Sequence, residues 1–136
     1  MQELYRRVKE VMDGTSETWE LVLVDDGSSD GTFARIQEIA RDDSHVAALK
    51  FSRNFGHQAA ITAGMEKAAG SAVVVIDSDL QDPPEVIIEM VDKWREGYDV
   101  VYGVRENRYG ESVFKLLTAA VFYRLLKRMT SIDIPV

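Results

Sequence analysis

Apolar positions along this chain fall into two kinds of run, one spaced for helices and one continuous. Leu4, Val8, Val11 and Met12 recur at helical spacing, so the chain opens on an amphipathic helix that Asp13 and Gly14 end. WELVLVDD, residues 19–26, reads as a short buried strand. SSDGT is a turn, with Asp30 as N-cap of a helix around Phe33, Ile36 and Ala40. VAALKF is a second strand, and a helix follows over residues 58–69 with Gly70 as its C-terminal cap. AVVVID is a third strand, apolar on both faces. Asp82-Pro83-Pro84 opens another helix, with Ile87, Val91 and Trp94 on its apolar face and Gly97 at its close. DVVYG is a fourth strand, and a last helix covers residues 112–129.

Helices thus alternate with short continuous apolar strands. That pattern predicts an α/β fold in three layers, a mostly parallel sheet covered by helices on both faces. There is no repeat and no linker, so the chain reads as one domain over residues 1–136. In such sheets ligands bind beyond the carboxyl ends of the strands, and the polar residues of interest cluster there.

Asp25 and Asp26 stand where the first strand ends, placed to accept hydrogen bonds from a nucleobase or ribose; a capped turn is the plainer reading. Asp77 and Asp79 end the third strand, two residues apart and so on one side of an extended chain. Paired hard oxygen ligands suit a hard divalent cation, Mg²⁺ or Mn²⁺, that can hold a diphosphate, with Gln81 as a further oxygen donor. The alternative is a loop of solvated acids, which leaves two charges at the end of an apolar strand. Arg53 and His57 bracket a turn into a helix, a place for a phosphate or for an ordinary surface arginine. Arg105 and Arg108 follow the fourth strand. The helix beyond is apolar nearly all round, with Lys115, Arg124, Lys127 and Arg128 interspersed, as suits either an anionic membrane surface or packing on another part of a protein.

Composition narrows the partners. A net charge of −7 argues against general nucleic-acid binding. The cations gather between Arg105 and Arg128, a basic end for an anionic partner or simply a solvated face. With no cysteine there is neither a disulfide framework nor a thiolate metal site, which fits a cytoplasmic setting. No apolar run approaches the roughly 20 residues that cross a bilayer, so the chain is expected to be soluble or peripheral to the inner face of a membrane.

DDGSSDGT, DSDLQDPPE and GVRENRYGES, in that order, resemble family-two glycosyltransferases of GT-A fold, and FSRNFGHQAA is most similar to the polyprenyl-phosphate hexosyltransferases among them. The resemblance covers essentially the whole chain. It implies an inverting, metal-dependent transfer of a hexose from a UDP- or GDP-sugar to a polyprenyl phosphate. It implies that Asp25, Asp26 and Asp77 meet the nucleotide, that Asp77, Asp79 and Gln81 hold the metal, and that Asp79 and Arg105 serve catalysis at the diphosphate. Arg108, Lys115 and Arg124 are the candidates for the acceptor phosphate. The family pattern begins with a strand and a Pro-Tyr-Asn-Glu-like motif, and this chain begins at the helix after it. The first strand of a GT-A, Rossmann-like sheet is therefore expected to be lacking, and transmembrane helices are expected in the longer parent protein. Its loss predicts that residues 21–24 pair directly with 73–76, or that two copies associate as a homo-oligomer. Two other readings remain. A phospho-receiver domain has similar strand ends, yet it needs a lysine after a later strand and VREN offers none. A non-catalytic nucleotide-binding remnant is the other.

Overall fold

A computed structural model describes residues 1–104 of the chain. The order of elements is α1 (Gln2–Asp13), β1 (Leu21–Asp25), α2 (Thr32–Asp42), β2 (Val46–Lys50), α3 (His57–Lys67) and α4 (Val86–Arg95). α1, α2, α3 and both strands stand where the apolar spacing placed them, within a residue or two at the ends; α4 begins only at Val86, after the Asp82-Pro83-Pro84 expected to open it.

β1 and β2 run parallel, joined through α2, with Leu21 opposite Val46 and Asp25 opposite Lys50. Alternation along β1 sends Leu23 to one face and Val24 to the other. Leu23 packs with Ile36 and Ile39 of α2 and Val46 of β2. On the opposite face α3 lies so close that a Cβ on Gly64 would stand 3.3 Å from a Val24 methyl. Helices therefore cover both faces of a parallel pair, as expected of an α/β domain. A second cluster joins Leu4, Val8 and Met12 of α1 to Ile87 of α4, with Leu21, Val74, Ile76, Leu80 and Val91 packed around them. The surface ion pairs Arg7–Glu85 and Arg95–Glu17 add cross-links between sequence-distant segments.

At the amino ends of the strands a polar clasp ties α1 to the α2–β2 turn. The Asp43 carboxylate accepts from Tyr5 Oη at 2.8 Å, the His45 backbone N–H at 2.9 Å and Lys9 Nζ at 3.0 Å, and meets His45 Nδ1 at 2.8 Å. The His45 backbone N–H, then the Tyr5 hydroxyl, the His45 ring and Lys9 hold this carboxyl well below the usual carboxylate range. Trp19 stacks on the His45 ring at 4.6 Å between centroids.

Five expectations need correction. Residues 73–77 form no ladder: among the described residues only β1 and β2 are paired. The direct pairing of residues 21–24 with 73–76 is thus not what the chain does. The segment keeps a strand's alternation, with Val74 and Ile76 turned into the core and Val73 and Val75 44% and 51% exposed. Residues 99–103 are likewise unpaired, and Val100 and Tyr102 are exposed. Apolar residues define which faces can be buried, but a strand also needs a neighbour for its own N–H and C=O groups. The cap of α3 is Ala68 in extended backbone, not Gly70. The N-cap of α2 is Gly31, whose φ of 82° places it in the left-handed region; Asp30 acts one residue earlier.

Candidate functional site

Parallel pairing fixes where the site lies. Because Asp25 stands opposite Lys50, the loops after β1 and after β2 leave from the same end of the pair. The ladder's direction carries one bond further, with Phe51 N–H donating to the Asp25 carbonyl at 2.9 Å. The two loops then run side by side.

Asp25 is only 3% exposed. Its Oδ1 accepts from the Ser28 N–H at 3.3 Å, while its Oδ2 is buried with no hydrogen-bond partner among the described residues. Leaving a buried acceptor unmade costs about 1–3 kcal/mol, and more for a charged group. An orphaned buried acceptor calls for an explanation, and a bound ion, water or ligand is one.

Asp26 is placed differently. Its Oδ1 accepts from the Phe55 N–H at 2.7 Å and its Oδ2 from the Gly56 N–H at 2.9 Å. Gly27 follows with φ 75°, and a Cβ there would fall 2.7 Å from the Asn54 nitrogen and closer still to the Arg53 carbonyl carbon. Only glycine allows the loops to touch at that point. Beyond the contact, the Arg53 guanidinium lies 4.5 Å from the centre of the Phe55 ring, and Phe51 meets that ring edge-on at 5.5 Å. Asp30 closes the first loop by accepting from the Thr32 hydroxyl at 2.6 Å and its N–H at 3.0 Å. The Thr32 hydroxyl first, then its N–H, lowers the Asp30 carboxyl from its ordinary value.

The second acidic motif follows the unpaired segment. Asp77 and Asp79 are exposed, and Asp79 Oδ1 accepts from the Gln81 N–H at 3.0 Å. Between them and Gln81 stands Leu80 with φ 62°, an uncommon conformation for a branched side chain. Leu80 packs into the α1–α4 cluster. Partly buried there, Leu80 anchors the turn while the acids stay in solvent, and non-glycine outliers of this kind gather at functional sites. Among the described residues no three His, Cys, Asp or Glu side chains form a cluster that could hold a metal ion. Two carboxylates and the Gln81 amide still match what Mg²⁺ takes from a protein, since it draws its remaining ligands from water and substrate phosphates.

Asp25 with Asp26, and Asp79 with Gln81, are thus the local groups that the structure assembles from the predicted residues. Arg53 and His57 are exposed at the mouth of the second loop. Arg105, Arg108, Lys115 and Arg124, and the last helix, lie outside the described residues. Sequence reasoning missed the part of Asp26 as acceptor for two backbone N–H groups from positions 29 and 30 residues away. Parallel pairing of the two strands is the signal that would have found it, since it puts both loops at one end. No helix among the described residues is long and apolar enough to cross a membrane.

A family model described as Glycosyl transferase family 2 matches residues 1–136. An uncharacterised glycosyltransferase, YkcC of Bacillus subtilis, is 59% identical over 136 residues, which are 100% of this chain and 42% of that protein. An uncharacterised glycosyltransferase of Synechocystis is 45% identical over 135 residues, 99% of this chain and 42% of the relative. The undecaprenyl-phosphate 4-deoxy-4-formamido-L-arabinose transferase of Salmonella choleraesuis is 38% identical over 131 residues, 96% of this chain and 40% of that enzyme. The chain thus spans about two fifths of the length of these relatives.

Proposed function

This chain belongs to the family 2 glycosyl transferases, and from that premise we propose that it carries the donor side of a site that transfers a hexose from UDP or GDP to a polyprenyl phosphate. The observation that carries the reading is the Asp25 carboxylate, buried at the end of β1 with one oxygen unpartnered among the described residues. A ribose hydroxyl or a base N–H is the donor it calls for. The Salmonella relative is named an undecaprenyl-phosphate 4-deoxy-4-formamido-L-arabinose transferase, and a polyprenyl phosphate is the acceptor proposed here.

In the proposed reaction an acceptor phosphate oxygen bonds to the anomeric carbon as the bond from that carbon to the diphosphate oxygen breaks. The nucleoside diphosphate leaves with the bonding electrons, and the configuration inverts. A phosphate monoester has its second pKa near 6, so the acceptor is largely a dianion at neutral pH and needs no general base. Asp77 and Asp79, with Gln81 beside them, would hold Mg²⁺ or Mn²⁺, which when bound supplies positive charge to the diphosphate. Arg105 is assigned to the leaving group, and Arg108, Lys115 and Arg124 to the acceptor phosphate. The membrane surface and a second copy of the chain complete the proposed partners.

Incubation of the 136-residue chain with radiolabelled UDP- or GDP-hexoses, Mn²⁺ and undecaprenyl phosphate tests this. Label in the butanol-extracted lipid is expected. Nucleotide binding without transfer would instead identify a non-catalytic nucleotide-binding domain.

A further inference from the structure

We infer that Leu80 is a positioning residue for the divalent cation: its side chain, seated on the α1–α4 cluster, holds Asp79 and Gln81 in the turn from which they would bind it. The inference rests on the nucleotide-sugar reading above and concerns only the cation arm of that site.

The conformation of Leu80 is one its own chemistry disfavours. Its φ of 62° is the one positive φ outside glycine among the described residues. Glycine takes that conformation freely, and Asn or Asp takes it through local hydrogen bonds; a leucine does neither. Something outside the turn must therefore hold it. Leu80 is the one apolar residue between Asp77 and Asp82, and it packs against the cluster of Leu4, Val8, Met12 and Ile87. The seat of the side chain offsets the cost of the backbone.

That seat fixes the groups on either side. Asp79 Oδ1 accepts from the Gln81 N–H at 3.0 Å, a bond that spans Leu80. Asp79 Oδ2 accepts no hydrogen bond among the described residues. Upstream, Ile76 packs against the same cluster, so the stretch holding Asp77 and Asp79 is pinned at both ends. Downstream, Pro84 and Ile87 are buried and Glu85 pairs with Arg7 of α1. Two carboxylates on so short a loop repel each other, and a free loop would spread them. Anchors at Ile76 and Leu80 remove that freedom before a cation arrives, so less order is lost on binding. Without the Leu80 side chain the turn is free to leave positive φ, and the cation itself must then organise Asp79 and Gln81.

The test is calorimetric titration of UDP and GDP into the full chain, with Mn²⁺ and then with EDTA, for wild type, Leu80→Gly, Leu80→Asn and Leu80→Met. Gly and Asn tolerate positive φ and bring no apolar side chain to the cluster. Met keeps an apolar side chain of similar volume. Wild type is expected to bind about tenfold or more tightly with Mn²⁺ than with EDTA. Leu80→Gly and Leu80→Asn are expected to reduce that ratio to about twofold, with Kd in EDTA unchanged within about twofold. Leu80→Met is expected to keep the ratio within about threefold of wild type. Affinity lost by one factor with Mn²⁺ and with EDTA alike would show that Leu80 merely supports the domain, and would overturn the inference while the nucleotide reading stands. An undiminished ratio in Leu80→Gly or Leu80→Asn overturns it too, since backbone freedom alone would then suffice. So does a ratio in Leu80→Met as low as in Leu80→Gly. If Leu80→Gly melts below the titration temperature, Leu80→Asn carries the same expectation and the same refutation. Wild-type binding that EDTA leaves undiminished, or no binding of either nucleotide, overturns the reading of the site and the role of Leu80 together.

Discussion

Two stretches of this chain carry much the same apolar signal and end up in different structures. In residues 21–67 two apolar runs, LVLVD and VAALK, became strands, each with the other as its hydrogen-bonding neighbour. In residues 73–104 two runs of equal promise, VVVID and DVVYG, have no neighbour among the described residues and stay outside any sheet. Side-chain chemistry does not separate them, since Val73 and Val75 are as suited to a strand as Val22 and Val24. A backbone partner separates them. Where β1 has β2, Leu23 and Asp25 are buried; where Val73–Ile76 has none, Val73 and Val75 are about half in solvent. The acids at the two strand ends differ in the same sense. Asp25 is locked and buried, whereas Asp77 and Asp79 lie exposed on a turn held by Leu80.

The largest effect that sharpens this contrast is in the core. Ile36 is fully buried between α2 and the strands. Ile36→Ala is expected to cost about 2–5 kcal/mol in denaturant unfolding, whereas Val75→Ala stays within about 0.5 kcal/mol. A comparable loss at Val75 would mean that the segment is covered in solution, by a second copy for instance, and the contrast would break.

A smaller effect separates two glycines of the first loop. Both have positive φ, 75° at Gly27 and 82° at Gly31, but a Cβ meets the Arg53–Asn54 backbone at Gly27 and nothing within 4 Å at Gly31. Gly31→Ala is expected to cost about 1–2 kcal/mol for the left-handed backbone alone. Gly27→Ala should cost more, because two loops must part, and it should weaken nucleotide binding where Gly31→Ala does not. Equal costs in urea melts would show that the loops are not in contact.

Asp43 gives the smallest effect and tests the other end of the strands. Its folded carboxyl lies below the unfolded value near 3.9, so its contribution to stability is present above that value and fades as pH falls through the folded pKa. Asp43→Asn is therefore expected to lower Tm at pH 7, with the gap from wild type narrowing below about pH 4. A Tm gap that widens toward acid would contradict the clasp.

What the sequence disclosed follows the range of the interactions involved. α1 was legible because Leu4, Val8 and Met12 repeat at helical spacing within one element. Gly97 was legible as a helix end because a φ of 100° belongs to glycine, and local geometry sets it. The missing ladders of residues 73–77 and 99–103 were not legible, since pairing depends on segments distant in the chain. In the site, the acids stood out by position alone. Their separate surroundings did not, because the partners of Asp26 lie in another loop and the unpartnered oxygen of Asp25 is a property of packing.

The central claim is that the end of β1 holds a nucleotide whose diphosphate is bound through a divalent cation. Calorimetric titration of UDP and GDP into the 136-residue chain, with Mn²⁺ and then with EDTA, tests it most directly when Asp25→Asn and Asp79→Ala are titrated beside the wild type. One nucleotide is expected to bind with Mn²⁺, to lose about tenfold or more in affinity with EDTA or Asp79→Ala, and to lose a similar factor with Asp25→Asn. Binding undiminished by EDTA and by both substitutions, or no binding of either nucleotide, would contradict the account.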